Sequence, residues 1–318
     1  MGNEFRPGRY AAIDIGTVTC RLLIADVDEA GGIEELHRDY AICNLGVGVD
    51  KTGHLEPEAI ERVATVIARF AGALTEMTQG APISVRTCAT SASRDADNAA
   101  DFQERLAMFN LVPEVIPGEE EAALSFSGAT SAFPGETLAV ADIGGGSTEI
   151  IAGRAGAVPD HAHSFNIGCR RVTERFFTQD PPAADDLARA SAWVAEEFAP
   201  YLNALRKGGF LSGRLIAVAG TATSIVSMRE QMQVYDSKRV HGAVVTREDV
   251  DALIGRIAPM ALSERQCIVG LDPGRAPVIL AGLLIMRELL HVADIDSFTA
   301  SERDILHGII LGMAKVSQ

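Results

Sequence analysis

The chain has 318 residues, 47% of them hydrophobic and 22% charged, and its 43 Asp plus Glu against 28 Lys plus Arg leave a formal net charge of −15. That length suggests two domains with ample core material, and the acidic balance excludes a protein that grips duplex nucleic acid through a basic stripe. A polyanionic substrate must therefore be held by a local basic cluster against the overall field.

In chain order, Tyr10–Ile15 and Cys20–Val27 are apolar runs that flank GTVT and predict two antiparallel strands. Residues 56–77 predict a helix, with Pro57 near its start and Ile60, Val63, Ile67, Phe70 and Leu74 at helical spacing. A strand over Ile83–Cys88 and a helix over Ala99–Asn110 follow, and Gly118 precedes the acidic start of a helix reaching Phe133. The pattern then restarts. A strand over Leu138–Ile143 leads into Gly144-Gly145-Gly146 and a second strand, Glu149–Ala152. Beyond it the expected elements are a helix over 185–207, a strand over Leu215–Val218 and a helix from Thr221 to Glu230. The last three are an apolar helix over Val278–His291, a strand over Ser297–Ala300 and a closing helix over Glu302–Lys315.

No membrane span is expected, because the longest apolar stretch, Ala276 to Met286, stops at Arg287, well short of roughly 20 residues. The first ten residues lack the apolar region of a secretory leader, and Arg6 stands where a myristoylation signal needs Ser or Thr. Cys20, Cys43, Cys88, Cys169 and Cys267 are dispersed without a CxxC pair, which predicts reduced thiols and a cytoplasmic location.

The most informative feature is an internal repeat, AAIDIGT at Ala11–Thr17 and AVADIGG at Ala139–Gly145. Two halves that each open with strand–DIG–strand suggest a duplicated α/β domain with a cleft between, and Phe133–Glu136 is the turn-rich boundary candidate. A glycine turn exposes backbone N–H groups to a phosphate, and an Asp at the strand end suits Mg²⁺; these are Asp14 and Asp142. A single such motif is equally a hairpin with a turn Asp, but two copies in register favour the phosphate reading. GGGS leads into a strand, which excludes a dinucleotide fingerprint, and no P-loop motif occurs. In VAGTATS, Gly220 and Thr221 open a helix and suit an anion, although Thr is also a common N-cap. Glu119-Glu120-Glu121 complements a helix dipole or supplies a general base. Arg86, Arg94, Arg170, Arg171, Lys238, Arg239, His241 and Arg275 are either surface charges or phosphate ligands.

Taken together, AAIDIGT, RTCATSASRDADN, IPGEEEA, VADIGGGSTEI, FNIGCRRVTERFF, VAGTATS, YDSKRVHG and GLDPGRAPVILAG resemble the exopolyphosphatase and guanosine pentaphosphate phosphohydrolase (Ppx/GppA) family, within the actin, sugar kinase and Hsp70 superfamily. The resemblance covers roughly Tyr10 to Met313. It implies two ribonuclease-H-like α/β domains, 1–133 completed by the closing helix 302–318, and 134–301. It also implies a phosphoanhydride substrate, Mg²⁺, with replacement by Mn²⁺ left open, and Glu121 as the base with Glu120 beside it. Asp14, Gly16 and Thr17 match the first phosphate turn, Asp142, Gly144, Gly145, Ser147 and Glu149 the second, and Arg94 a phosphate-binding arginine. Asp14, Asp142 and Glu149 are the implied metal ligands. Val18 replaces a polar residue of the family, Ala219 a glycine, and Leu306 and His307 stand where an arginine precedes the last helix glycine. The extra helical HD-type domain of longer relatives is not expected. The expected activity is removal of terminal phosphate from inorganic polyphosphate, with pppGpp as second candidate. A superfamily kinase and a non-catalytic polyphosphate or guanosine polyphosphate sensor are the rivals. A homodimer is left open, and neither duplex nucleic acid nor membrane is an expected partner.

Overall fold

A computed structural model of the chain describes residues 5–78 and 82–316. The chain forms two units, one running up to Gly128 and resuming at Asp304, the other spanning Ala129–Arg303. The first opens with strands β1 (Gly8–Ile15), β2 (Thr19–Val27) and β3 (Ile33–Ile42), then helices α1 (Val49–Thr52) and α2 (Pro57–Met77). It continues through β4 (Ile83–Ala89), α3 (Ser91–Asp95), α4 (Ala99–Ala107), β5 (Glu114–Val115) and α5 (Gly118–Thr130). The second contains β6 (Thr137–Ile143), β7 (Thr148–Arg154), β8 (His161–Phe165), α6 (Cys169–Phe176), α7 (Ala184–Lys207), β9 (Arg214–Val218) and α8 (Ala219–Arg229). After these come α9 (Ser237–Val240), β10 (Val244–Thr246), α10 (Arg247–Ile257), α11 (Leu262–Arg265), α12 (Ile279–Ala293) and β11 (Ser297–Ala300). Helix α13 (Ile305–Ala314) then returns to the first unit.

The two sheets share one plan. The first has the order β3-β2-β1-β4-β5 and the second β8-β7-β6-β9-β11-β10. In each, the opening strand pairs antiparallel with the next and parallel with the strand beyond the first helical segment. The sequence repeat is therefore a structural repeat. Strand β1 is apolar on both faces because both are covered. Ala11, Ile13 and Ile15 pack with Phe70 of α2 and Phe102 of α4, whereas Tyr10 and Ala12 pack with Ile305, Ile309 and Ile310 of α13.

Several elements escape the apolar pattern. Strands β3 and β8 lie at sheet edges and carry charged and polar residues, which blunt an exposed edge. Helix α6, CRRVTERF, has too few apolar residues to show a period. Helix α13 starts at Ile305 rather than Glu302 because Asp304 caps it, its carboxylate accepting from Leu306 N–H at 3.0 Å. Helix α4 stops at Ala107, short of Asn110, which takes a left-handed φ of 56°. Among the described residues no helix is long and apolar enough to cross a membrane. Cys20, Cys43, Cys88 and Cys169 are buried free thiols, and Cys267 is exposed.

Helix α5 meets α13 through glycine. A Cβ on Gly308 would lie 1.9 Å from the Leu124 carbonyl oxygen, and one on Gly128 would lie 1.8 Å from that of Asp304. Backbone cannot yield as a side-chain tip can, so Gly308→Ala should destabilise the protein by about 1–3 kcal/mol. A denaturant midpoint equal to that of the unsubstituted protein would show that the two helices can part without cost.

Candidate active site

Both DIG turns are tightened by one bond, Gly16 N–H to Thr19 O at 2.9 Å and Gly144 N–H to Ser147 O at 3.0 Å. A Cβ on either glycine would sit 3.2 Å from the accepting carbonyl oxygen. Each turn is also held from behind. In the first, Cys43 and Asn44 N–H donate to Val18 O, and Gly46 N–H donates to Thr17 O, all at 2.9 Å. In the second, Cys169 N–H donates to Gly144 O at 2.9 Å, Arg170 N–H to Gly145 O at 2.8 Å, and Arg171 Nε to Gly146 O at 3.0 Å. The glycines behind the turns permit this approach. A Cβ on Gly46 would be 2.2 Å from Thr17 Cγ2, and one on Gly168 would be 2.3 Å from the Gly145 carbonyl carbon. With the turn carbonyls engaged on one side, the intervening N–H groups are left for an anion.

In the first unit, Thr17 Oγ1 and Ser93 Oγ are buried hydroxyls with no hydrogen-bond partner among the described residues. Buried hydroxyls rarely stay unmatched, and these two flank the first turn and the short helix α3 that carries Arg94. Val18, the residue that departs from the family pattern, is buried. Asp14 is buried as well, and Arg21 donates to its Oδ2 from Nε at 3.0 Å and Nη2 at 2.6 Å. Burial pushes the Asp14 carboxyl up, against the pull of Arg21.

The three acids at the start of α5 separate. Glu119 is exposed. Glu120 accepts from Arg86 at 2.6 Å, and the same guanidinium holds Glu114 at 2.7 Å. Glu121, only 8% exposed, accepts from Arg94 Nη1 at 2.7 Å, and that nitrogen also donates to Ile116 O at 3.0 Å. The expected phosphate-binding arginine is thus placed on the expected base.

In the second unit, Asp142 and Glu149 are buried and directly opposed across the β6–β7 pair. Glu149 Oε1 accepts from Ser164 Oγ at 2.7 Å. The equivalent pair in the first unit is Asp14 and Arg21, so the two copies differ in charge at one position. Ser147 is buried in the turn. At the start of α8, the Thr221 hydroxyl donates to Ile143 O at 3.1 Å, so an anion there meets backbone N–H groups. The Arg275 guanidinium lies against Gly220, where a Cβ would come within 1.9 Å of Nη1.

Arg21, which the sequence did not single out, holds Asp14 at the first turn, and Arg275, a candidate phosphate ligand from the sequence, lies at the start of α8. Two other candidates have structural partners. Arg239 pairs with Glu230, and His241 Nδ1 accepts from Glu302 N–H at 3.2 Å. Leu306 and His307 are both buried in the first turn of α13.

Paired glycine turns on duplicated α/β units, with buried acids at both, define a protein built to handle phosphate. The chain belongs to the Ppx/GppA phosphatase family, which it matches over residues 23–317. It is 38% identical to Exopolyphosphatase 2 of Mycobacterium tuberculosis, over 96% of this chain and 98% of that one. Among solved structures, an exopolyphosphatase from Cytophaga hutchinsonii superposes with a TM-score of 0.86 at 26% identity, covering 98% of this chain and 100% of the other. The Aquifex aeolicus Ppx/GppA enzyme superposes with a TM-score of 0.78 at 28% identity, covering 96% and 99%.

Ala219, the departure in AGTAT, adopts φ 64°, the left-handed region that favours glycine. Restoring the family residue with Ala219→Gly should raise stability by about 1 kcal/mol. An unchanged or lower denaturant midpoint would mean that this backbone is unstrained.

Proposed function

We propose that this protein is an exopolyphosphatase that removes terminal phosphate from inorganic polyphosphate by attack of water. The observation that carries the reading is Glu121, a buried carboxylate held by Arg94 in the unit that bears the first phosphate turn. The kinship with Exopolyphosphatase 2 supports it. Glu121 accepts the proton of the attacking water while Arg94 fixes the carboxylate's orientation and offers its guanidinium to the phosphate. The turn N–H groups and the Thr17 and Ser93 hydroxyls hold phosphate oxygens. Glu120, tied to Arg86, acts on Glu121 only through the shared helix start.

The residues also fit a divalent cation. Asp142 and Glu149, buried and opposed at the second turn, supply hard oxygen donors, as does Asp14 at the first. Among the described residues no group of three or more His, Cys, Asp or Glu is placed to hold a metal by itself. The remaining ligands are then water and phosphate oxygens, as is usual for Mg²⁺. When bound, Mg²⁺ or Mn²⁺ neutralises charge on the phosphate oxygens.

Phosphate release from polyphosphate, pppGpp and ATP, measured side by side, tests the reading. Polyphosphate is expected to be the best substrate; release from pppGpp alone would make the protein a guanosine pentaphosphate phosphohydrolase, and release from none would make it a binding protein. Release should fall to background in EDTA and return with added Mg²⁺. Full activity after exhaustive chelation would remove the cation from the mechanism.

Glu121→Gln keeps an oxygen for Arg94 but cannot take a proton. It should lower kcat by at least about 100-fold while polyphosphate still binds, and Glu120→Gln should cost less than that. A dead Glu120→Gln beside an active Glu121→Gln would move the base one residue along α5.

A further inference from the structure

Behind the first phosphate turn, a continuous polar chain crosses four elements of the first unit. Asp14 on β1 holds Arg21 on β2, and the same guanidinium reaches Asp304, the N-cap of α13, through Nη1. Asp304 N–H donates to His307 Nδ1 at 3.3 Å, which makes Nε2 the protonated nitrogen, and Nε2 donates to Glu35 Oε1 on β3 at 3.0 Å. Three of its five groups are deeply placed, with Asp14 at 3%, Asp304 at 4% and His307 at 1% exposure.

The sheet has a device that aims the far end of this chain. Ala25 pairs with Glu35 and Ile24 with His37, so Leu36 is an extra residue in β3. That bulge puts Glu35 opposite Ala25, on the face covered by α13; unbulged pairing would put Leu36 there.

Anchoring α13 does not require these groups. Ile305, Leu306, Ile309 and Ile310 already pack it to the sheet, and a lone serine would cap it. Two buried carboxylates share one guanidinium, an arrangement that stability alone does not favour. Burial pushes the Asp304 carboxyl up, yet Arg21 holds it well below the usual carboxylate range. The His307 hydrogen bond keeps the Glu35 carboxyl at about 2.

We propose that Asp304, locked by His307 and Glu35, is a positioning residue that holds Arg21 on Asp14 at the first phosphate turn and keeps a polyanionic substrate from drawing Arg21 away. The inference rests on the proposed polyphosphate hydrolysis. With Nε and Nη2 on Asp14 and Nη1 on Asp304, the guanidinium cannot turn. Releasing one side lets it follow the substrate, which strengthens ground-state binding and withdraws the fixed geometry needed for reaction.

Asp304→Asn isolates this role, because Asn still caps the helix while the charge opposite Arg21 is gone. The expected result is a fall in kcat of about fivefold or more, accompanied by a fall in KM for polyphosphate, with the thermal transition kept above the assay temperature. A merely structural residue would lower kcat in proportion to folded protein and leave KM unchanged. His307→Ala should move both constants in the same directions by smaller factors. A second readout needs no substrate: the Arg21 Nε–H resonance, assigned with Arg21→Lys, should exchange slowly with water in the unsubstituted protein and faster in Asp304→Asn. Wild-type protein that releases no phosphate would sink the functional reading and leave the exchange comparison standing. Unchanged kcat and KM in Asp304→Asn, or equal exchange in the two proteins, would overturn the positioning role. A His307→Ala variant that shifts only the melting temperature would remove His307 and Glu35 from it.

Discussion

Everything at the candidate site depends on how the DIG turns are closed from behind. A glycine turn left to itself is soft, because glycine has the largest conformational entropy to lose. Here each turn carries one internal bond and several more from the segment that follows the third strand, residues 43–46 in one unit and 168–171 in the other. Those bonds use the carbonyl side and fix the direction of the N–H side. Gly46 and Gly168 belong to the architecture of the turns for that reason. Their missing Cβ atoms let the supporting segment come close enough to bond.

The duplication makes the differences between the halves informative. The register Asp14–Arg21 in one sheet and Asp142–Glu149 in the other is the same register with one charge inverted. Opposed like charges are costly unless something positive joins them, whereas an opposed arginine satisfies its aspartate directly. One copy of the motif therefore sets a cation opposite its aspartate, and the other sets a second acid there. The repeat AAIDIGT does not show this in the first copy, because Arg21 lies beyond it on the returning strand.

Much of this architecture can be read from the chain. Strands β1 and β2 are apolar on both faces, and α2 repeats Ile60, Val63, Ile67, Phe70 and Leu74 at helical spacing, so burial dictates both. The polar edge strands β3 and β8 and the charged helix α6 follow tertiary pairing instead, and their composition alone reads as loop. The same division holds at the site. Glycines and aspartates of the turns are legible because turn chemistry is local. The partition of three adjacent acids among solvent, Arg86 and Arg94 is not, since it depends on where β4 and α3 bring those arginines. Nor is the left-handed backbone at Ala219, where alanine gives no conformational signal.

The bulge at Leu36 has a consequence for how β3 tolerates change. Alternation along an unbroken strand would assign Ile33, Glu35, His37, Asp39 and Ala41 to one face. The register instead sends Ile33 and Glu35 toward α13 and His37, Asp39 and Ala41 toward α2, where Arg69 holds Asp39 at 2.8 Å. The strand thus changes phase midway. A deep mutational scan would show its two halves answering to different cores, with the break at a single leucine. Loss of that leucine would merge them into one regular strand and keep each flanking residue beside its present partner, while an insertion next to it would turn one half over. Length variation in this edge strand is therefore asymmetric, tolerant of shortening by one residue and intolerant of lengthening.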